Sequence, residues 1–201
     1  MNNNRTVFLR AFEPDDYLLI NKWRNDSGIQ KLTGGTFRYV SLEREKTWVH
    51  NKMMNDSKDM YFAICLNDSS KKMIGYSSLN NIDYIHKTTS GAGTVIGEKE
   101  YQDGNAYIDA LLELFDYAFN ELNLNRIQCE CLCEHNAAYR LLLSFGFILE
   151  GTLRQVIYKH GRYHNQYILS LLKEEYDGIL VNDGYTMTNI LKRLRKTKNN
   201  V

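Results

Sequence analysis

Apolar and polar positions alternate from Val7 to Ala11, which predicts a first strand, and Pro14 with Asp15 and Asp16 has the proline and acidic first turn of a helix. Leu18, Leu19 and Trp23 give that helix its apolar face, Arg24, Asn25 and Asp26 end it, and Gly34-Gly35 marks a flexible connection. A second helix is expected from Ser41, carrying Trp48, Val49 and Met53 inward. Met60 to Leu66 reads as a strand, Asn67 to Lys72 as a hairpin turn, and Met73 to Leu79 as the next strand, continued after a bulge by Ile82 to Ile85. Thr88 to Gly91 reads as a small polar turn before a strand at Ala92 to Ile96.

The pattern then changes to strand, loop, helix, twice over. A loop with Gly97 and Gly104 feeds a helix whose apolar residues recur at Ile108, Leu111, Leu112, Phe115, Ala118, Phe119 and Leu122. Arg126 to Cys133 alternates as a strand, and Asn136 to Ser144 forms a short helix stopped by Gly146. Strand ends that feed helix N-termini point several backbone N–H groups outward, which suits a phosphorylated ligand. A last hairpin runs from Leu149 to Lys159, turns at His160-Gly161-Arg162 and returns from Tyr163 to Leu172. The expected architecture is α+β (mixed α/β), a mostly antiparallel sheet of about seven strands with about four helices. Beyond it, Ile190, Leu191 and Leu194 among Lys192, Arg193, Arg195, Lys196 and Lys198 predict a short exposed helix, either solvated or in contact with a partner.

A chain of 201 residues, 43% of them apolar, fits one domain with a sizeable core. Its formal charge of +1 argues against a nucleic-acid partner, which would require a basic excess on one face. No apolar run reaches the length of a membrane helix, and the start MNNNRTVFLRAFEPDD lacks the apolar core of a signal peptide, so a cytoplasmic protein without a membrane partner is expected. Cys129, Cys131 and Cys133 share one face of a strand and cannot form disulfides among themselves without distorting it. They read as small core residues rather than zinc ligands, and no His, Asp and Glu pattern points to a metal.

The order of elements resembles the Gcn5-related N-acetyltransferase (GNAT) superfamily, and more closely its ribosomal-protein alanine acetyltransferase branch. The resemblance runs from about Val7 to Tyr176 and is carried by VFLRAFEPDD with Trp23-Arg24-Asn25-Asp26, Trp48, IGYSSLNNID, VIGEKEYQDGNAY, LNLNRIQ, HNAAYRLLLSFGF followed by LEGTLRQ, and GRYHNQYILSLLKEEY. It implies an acetyltransferase domain over residues 1–177, with residues 178–201 as a basic, helical C-terminal extension. It also implies acetyl-CoA as cosubstrate, and the residues, as above, give no reason to expect a metal beside it. Thr94, Val95 and Ile96 would line the pantetheine arm, while Gln102, Asp103, Gly104, Asn105, Ala106 and Tyr107 would cradle the pyrophosphate, with Asn136 nearby.

The family loop reads Gln or Arg, two residues, Gly, one residue, then Gly or Ala. Placed without a gap it falls on Gln102, Asn105 and Tyr107; shifted by one, it sets Gly104 and Ala106 on the small positions and Tyr101 on the first. Where the family has an asparagine eleven residues before the Gly of Gly146-Phe147 this chain has His135, with Asn136 one step on, and where some members carry a general-acid tyrosine it has Leu142. Tyr139, one turn earlier, is the alternative acid, and Glu130, on the strand face opposite the cysteines, is the candidate base, with Asp83, His86 and Glu98 in nearby loops. The resemblance implies direct transfer of an acetyl group to a primary amine, on a peptide N-terminus or an amino sugar in preference to a polyamine. A polyamine would need converging carboxylates, for which Asp15, Asp16, Glu43 and Glu45 are the candidates. A catalytically silent CoA-binding or interaction domain is the alternative, and a homodimer is left open.

Overall fold

The computed structural model describes residues 5–33, 35 and 37–197; Gly34 of the expected connection and Lys198 of the basic tail lie outside them. Seven strands form one sheet: β1 (Val7–Ala11), β2 (Met60–Leu66), β3 (Met73–Asp83), β4 (Thr88–Ile96), β5 (Arg126–Leu132), β6 (Ile148–Lys159) and β7 (Arg162–Leu172). Their order is β1-β2-β3-β4-β5-β7-β6. Every neighbouring pair is antiparallel except β4 and β5. The mixed α/β architecture with a mostly antiparallel seven-stranded sheet is therefore as the hydrophobic pattern indicates.

Two strand boundaries differ from the pattern. Thr88 to Gly91 is not a turn but the start of β4, because Thr88 and Thr89 pair with Asp83 and Ile82 on one side and with Arg126 and Ile127 on the other. The reversal lies at residues 84–87, where one Asp83 carboxylate oxygen accepts from the backbone N–H of Ile85 and His86, both at 2.9 Å. β3 runs through Asp83 in constant register, but Asn81 at φ +52° turns the strand so that Leu79 and Ile82, three apart, enter the same core cluster.

Helices cover both faces. A 3-10 turn at Pro14–Asp16 leads into α1 (Tyr17–Arg24), followed by α2 (Ser27–Leu32) and α3 (Leu42–Met54). Ile20 rather than Leu18 joins Trp23 in the core, since Leu18 stays 49% exposed. α2 has no counterpart in the hydrophobic pattern: its six residues are too short for a periodicity, and it is held by Asp26, whose carboxylate accepts from Gly28 and Ile29 N–H. Ser41 caps α3 by accepting from the Arg44 N–H. These helices cover Ala63, Cys65 and Met73, while α4 (Asn105–Asp116) packs on the other face against Val7, Ile64, Ile74 and Ile96. A π-helical turn at Tyr117–Glu121 extends α4, and α5 (Asn136–Ser144), α6 (Lys173–Asn182) and α7 (Met187–Thr197) complete that face.

The helix expected to stand exposed at the C-terminus is instead docked. Ile190 of α7 is fully buried within the main core cluster, and the Arg193 Nε donates to the Ser144 carbonyl at 2.7 Å. Ile190 is buried and Met187 packs against the same cluster because α5 offers a complementary face, while Leu191 stays exposed.

Candidate active site

β4 and β5 are hydrogen-bonded neighbours at only two positions, Thr88 opposite Arg126 and Thr89 opposite Ile127. Beyond them the two parallel strands diverge, β4 keeping β3 and β5 keeping β7 as their other partners. From Ser90 to Ile96 the β5-facing edge of β4 thus carries no strand partner among the described residues. Each strand then feeds a helix, β4 leading to α4 and β5 to α5, so two helix N-termini flank the open end of the split. A crevice at the carboxyl ends of parallel strands is a common ligand position in sheets of this kind.

The loop between β4 and α4 is built from its own side chains. Gln102 Nε2 donates to the Ile96 carbonyl at 2.8 Å, tying the loop to the end of β4. Asp103 accepts from the Asn105 backbone N–H at 3.0 Å and from its side-chain amide at 2.8 Å. Gly104 is the N-cap of α4 at φ +98°, and nothing lies within 4 Å of where a Cβ would stand. With the Asn105 N–H taken, the first-turn N–H groups of Ala106 and Tyr107 remain at the helix start. Ala106 is buried, whereas Tyr107 is half-buried with its phenol pKa raised by desolvation beside Cys129 and Cys131.

On the opposite face of the sheet, beneath α1 and α3, lies a cavity of about 740 Å³. Tyr61, Tyr76, Ser78 and Asn80 of β2 and β3 form its floor, and Val95 brings β4 into it. Gly93 and Gly91 stand opposite Ser78 and Asn80 in the ladder, which keeps that part of β4 free of side chains. Arg24 of α1, Arg38 of the segment before α3 and Arg44 of α3 also line the cavity. The Arg24 guanidinium lies 3.8 Å from the Trp48 ring centroid and within 3.2 Å of Glu45. Glu45 is fully buried, its carboxylate has no hydrogen-bond partner among the described residues, and burial raises its pKa against the opposing pull of Arg24 and Arg44. Asn25 fixes the chain after α2 by exchanging hydrogen bonds with Val40, at 2.9 and 3.0 Å. From the far hairpin, the buried Lys159 ammonium donates to the carbonyls of Gln30 and Thr33, two further lining residues.

The candidates taken from the sequence fall into three places. Thr94, Val95 and Ile96 lie on the open edge strand, with Thr94 Oγ1 hydrogen-bonded to Ser77 at 2.7 Å on the α4 face. Gln102 to Tyr107 form the loop and helix start at its end, and Asn136 opens α5 across the split, behind His135, whose Nδ1 accepts from the Ala138 N–H. Glu130 is exposed on β5 and accepts from Gln128 Nε2 at 3.1 Å. Tyr139 is on the other face, packed against Tyr167 in a tilted ring pair with centroids 4.7 Å apart, so the structure does not bring Glu130 and Tyr139 together on one face. Asp83 and His86 belong to the turn at the closed end of the β4–β5 pair, and Glu98 is engaged by Lys22 and the Trp23 indole N–H. Leu142 and the thiols of Cys129 and Cys131 are core, with burial pushing the Cys131 thiol up to about 11. Among the described residues no group of three or more His, Cys, Asp or Glu could hold a metal, and no helix is long and apolar enough to cross a membrane. The sequence assigns no site role to Arg24, Arg38, Arg44 or Lys159: Arg24 stands in a stretch that carries the family resemblance, but nothing local shows that these distant positions meet at one cavity.

Known proteins fit this arrangement. The model of the acetyltransferase (GNAT) domain matches residues 6–148. An uncharacterized N-acetyltransferase, p20, of Bacillus licheniformis is 31% identical over 85% of this chain and 94% of its own, and a spermidine N(1)-acetyltransferase of Vibrio cholerae is 29% identical over 86% and 96%. The crystal structure of spermidine N-acetyltransferase from Vibrio cholerae in complex with CoA and spermine superposes with a TM-score of 0.77 at 27% identity, covering 85% of this chain and 98% of that one.

Proposed function

The chain belongs to the GNAT acetyltransferase family and is an N-acetyltransferase; on that premise we propose where acetyl-CoA and the acceptor amine meet and which residues serve the transfer. The observation that carries the reading is that the 740 Å³ cavity reaches Val95, a residue of the strand whose other edge is left open by the split from β5. The two sides of that strand thus supply one place for a cofactor arm and one for an acceptor.

Acetyl-CoA supplies the activated acetyl group. The residues present fit it: along Thr94 to Ile96 the β5-facing backbone groups, apart from the Ile96 carbonyl that Gln102 holds, can pair with the pantetheine amides as an absent strand would. Gly104 leaves space where a side chain would stand, and the start of α4 adds N–H groups and a partial positive charge for the pyrophosphate, with Asn136 on the opposite lip. Gln102 and Asp103 hold the loop in this shape through the bonds described above. Glu130 is assigned the role of proton acceptor from the amine, through water, and Tyr139 that of proton donor to the departing thiol. Bringing amine and thioester together accounts for most of the acceleration, since proximity needs no special side chain. The acceptor is a peptide N-terminus or an amino sugar in preference to a polyamine, in keeping with the resemblance to ribosomal-protein alanine acetyltransferases.

The test is thiol release from acetyl-CoA across a panel of amines, alongside calorimetry of CoA binding. Turnover with micromolar CoA binding is expected; absence of CoA binding defeats the site assignment. Glu130→Gln is expected to lower kcat by about 100-fold or more if the carboxylate moves the proton. An unchanged kcat and pH profile removes Glu130 from the reaction.

A further inference from the structure

The charge of the acceptor cavity says more about the amine than the fold does. Three of its lining side chains are arginines, Arg24, Arg38 and Arg44, and none is a carboxylate. Glu45 offsets part of the Arg24 charge from behind, but it is fully buried and outside the lining, so the surface a ligand meets has a net positive charge.

From this lining we infer that the acceptor is an amine that also carries an anion, a carboxylate or a phosphate, seated on the arginines while its amino group reaches Val95. The inference rests on the acetyl-transfer reading above. Two physical effects point the same way. Guanidinium groups bind carboxylate and phosphate oxygens with charge-assisted hydrogen bonds, often in pairs, and here one of them is already held flat by Trp48 and Glu45, which lowers the ordering cost. Acetyl transfer also needs the neutral amine, and nearby positive charge lowers the pKa of an ammonium group. The same charge opposes a polyamine, whose second ammonium would face arginines in a partly enclosed cavity.

The inference is tested with the full chain, acetyl-CoA and four amines of similar length: diaminopentane, pentylamine, aminopentanoate and aminopropyl phosphate. kcat/KM is expected to be at least about tenfold higher for one of the two anionic amines than for pentylamine, with diaminopentane the poorest, and the better of the two identifies the anion. Arg44→Glu should raise KM for the anionic amine about tenfold and improve diaminopentane relative to it, whereas Arg44→Lys should keep the original ranking. A merely structural arginine would lower all four rates together without changing their order, and that result overturns the inference. So does a preference for diaminopentane or pentylamine in the unaltered enzyme, which leaves acetyl transfer standing. Failure of every amine together with absence of CoA binding defeats both.

Discussion

Trp23, Arg24, Asn25 and Asp26 are consecutive, yet each does a different thing. Trp23 is buried and its indole N–H donates to Glu98, Arg24 lies on Trp48 beside Glu45, Asn25 ties down Val40, and Asp26 caps α2. Gly97 depends on the first of these, because a Cβ there would stand 2.0 Å from the Trp23 ring. Gly97→Ala is therefore expected to destabilise the protein by about 1–3 kcal/mol through overpacking, read from urea denaturation. It should also raise the acceptor KM, since Trp23 stacks on Tyr76, a cavity residue. His135 gives a pH signature. Burial lowers its pKa from 6.5, so the native state resists protonation, and its neutral Nδ1 caps α5. The stabilising contribution is complete above pH 6.5 and is lost as pH falls through the lower native value. Replacing it by Asn, a cap without a titration, should flatten the stability-versus-pH curve just below pH 6.5, as measured by thermal melts at constant ionic strength.

At the scale of elements, the site depends on how close β3 and β4 lie and how far β4 and β5 part. A Cβ at Gly75 would stand 2.2 Å from the Val95 carbonyl oxygen, so only glycine permits this approach. The α4 start has the reverse character: space is free at Gly104, but its φ of +98° is costly for any other residue. Gly104→Val is expected to lose about 1–3 kcal/mol of stability from backbone strain alone and, by reshaping the helix start, to weaken CoA binding measured by calorimetry beyond what the loss of folded protein explains. The glycine and the amphipathic helix after it are legible in the sequence. The split beside them is not, because Arg126 to Cys133 and Thr94 to Ile96 look like any other strands until their partners are known. The start of β4 was hidden for a similar reason: Thr88 to Gly91 is small and polar, and pairing on both sides makes it a strand.

For the whole molecule, the C-terminal helices are the least separable part. α6 runs across position 177, and α7 buries Ile190 against α5, with Tyr185 donating to the Phe145 carbonyl at 2.7 Å. We propose that residues 178–197 fold with the acetyltransferase unit rather than apart from it. Ile190→Ala is expected to cost about 2–5 kcal/mol and to shift one cooperative transition, followed by fluorescence and circular dichroism together. Two separate transitions, or an unchanged midpoint, would restore an independent extension. The hairpin of β6 and β7 is linked to the opposite side of the molecule through Lys159, so the cavity roof and the far sheet edge are expected to unfold together.

By itself the sequence determined most of the strands, helices α1, α3, α4 and α5 and the order that marks the family, since alternation, helical periodicity, caps and turns are local properties of neighbouring residues. It also carried the loop between β4 and α4 that is proposed to hold the cofactor, written in one contiguous stretch. Only the tertiary structure decided the gap between β4 and β5, the docking of α7, and the charge of the arginine-lined cavity. Those depend on which distant segments meet: Arg24, Arg38 and Arg44 become one surface only when α1, α3 and the chain between them close over the sheet.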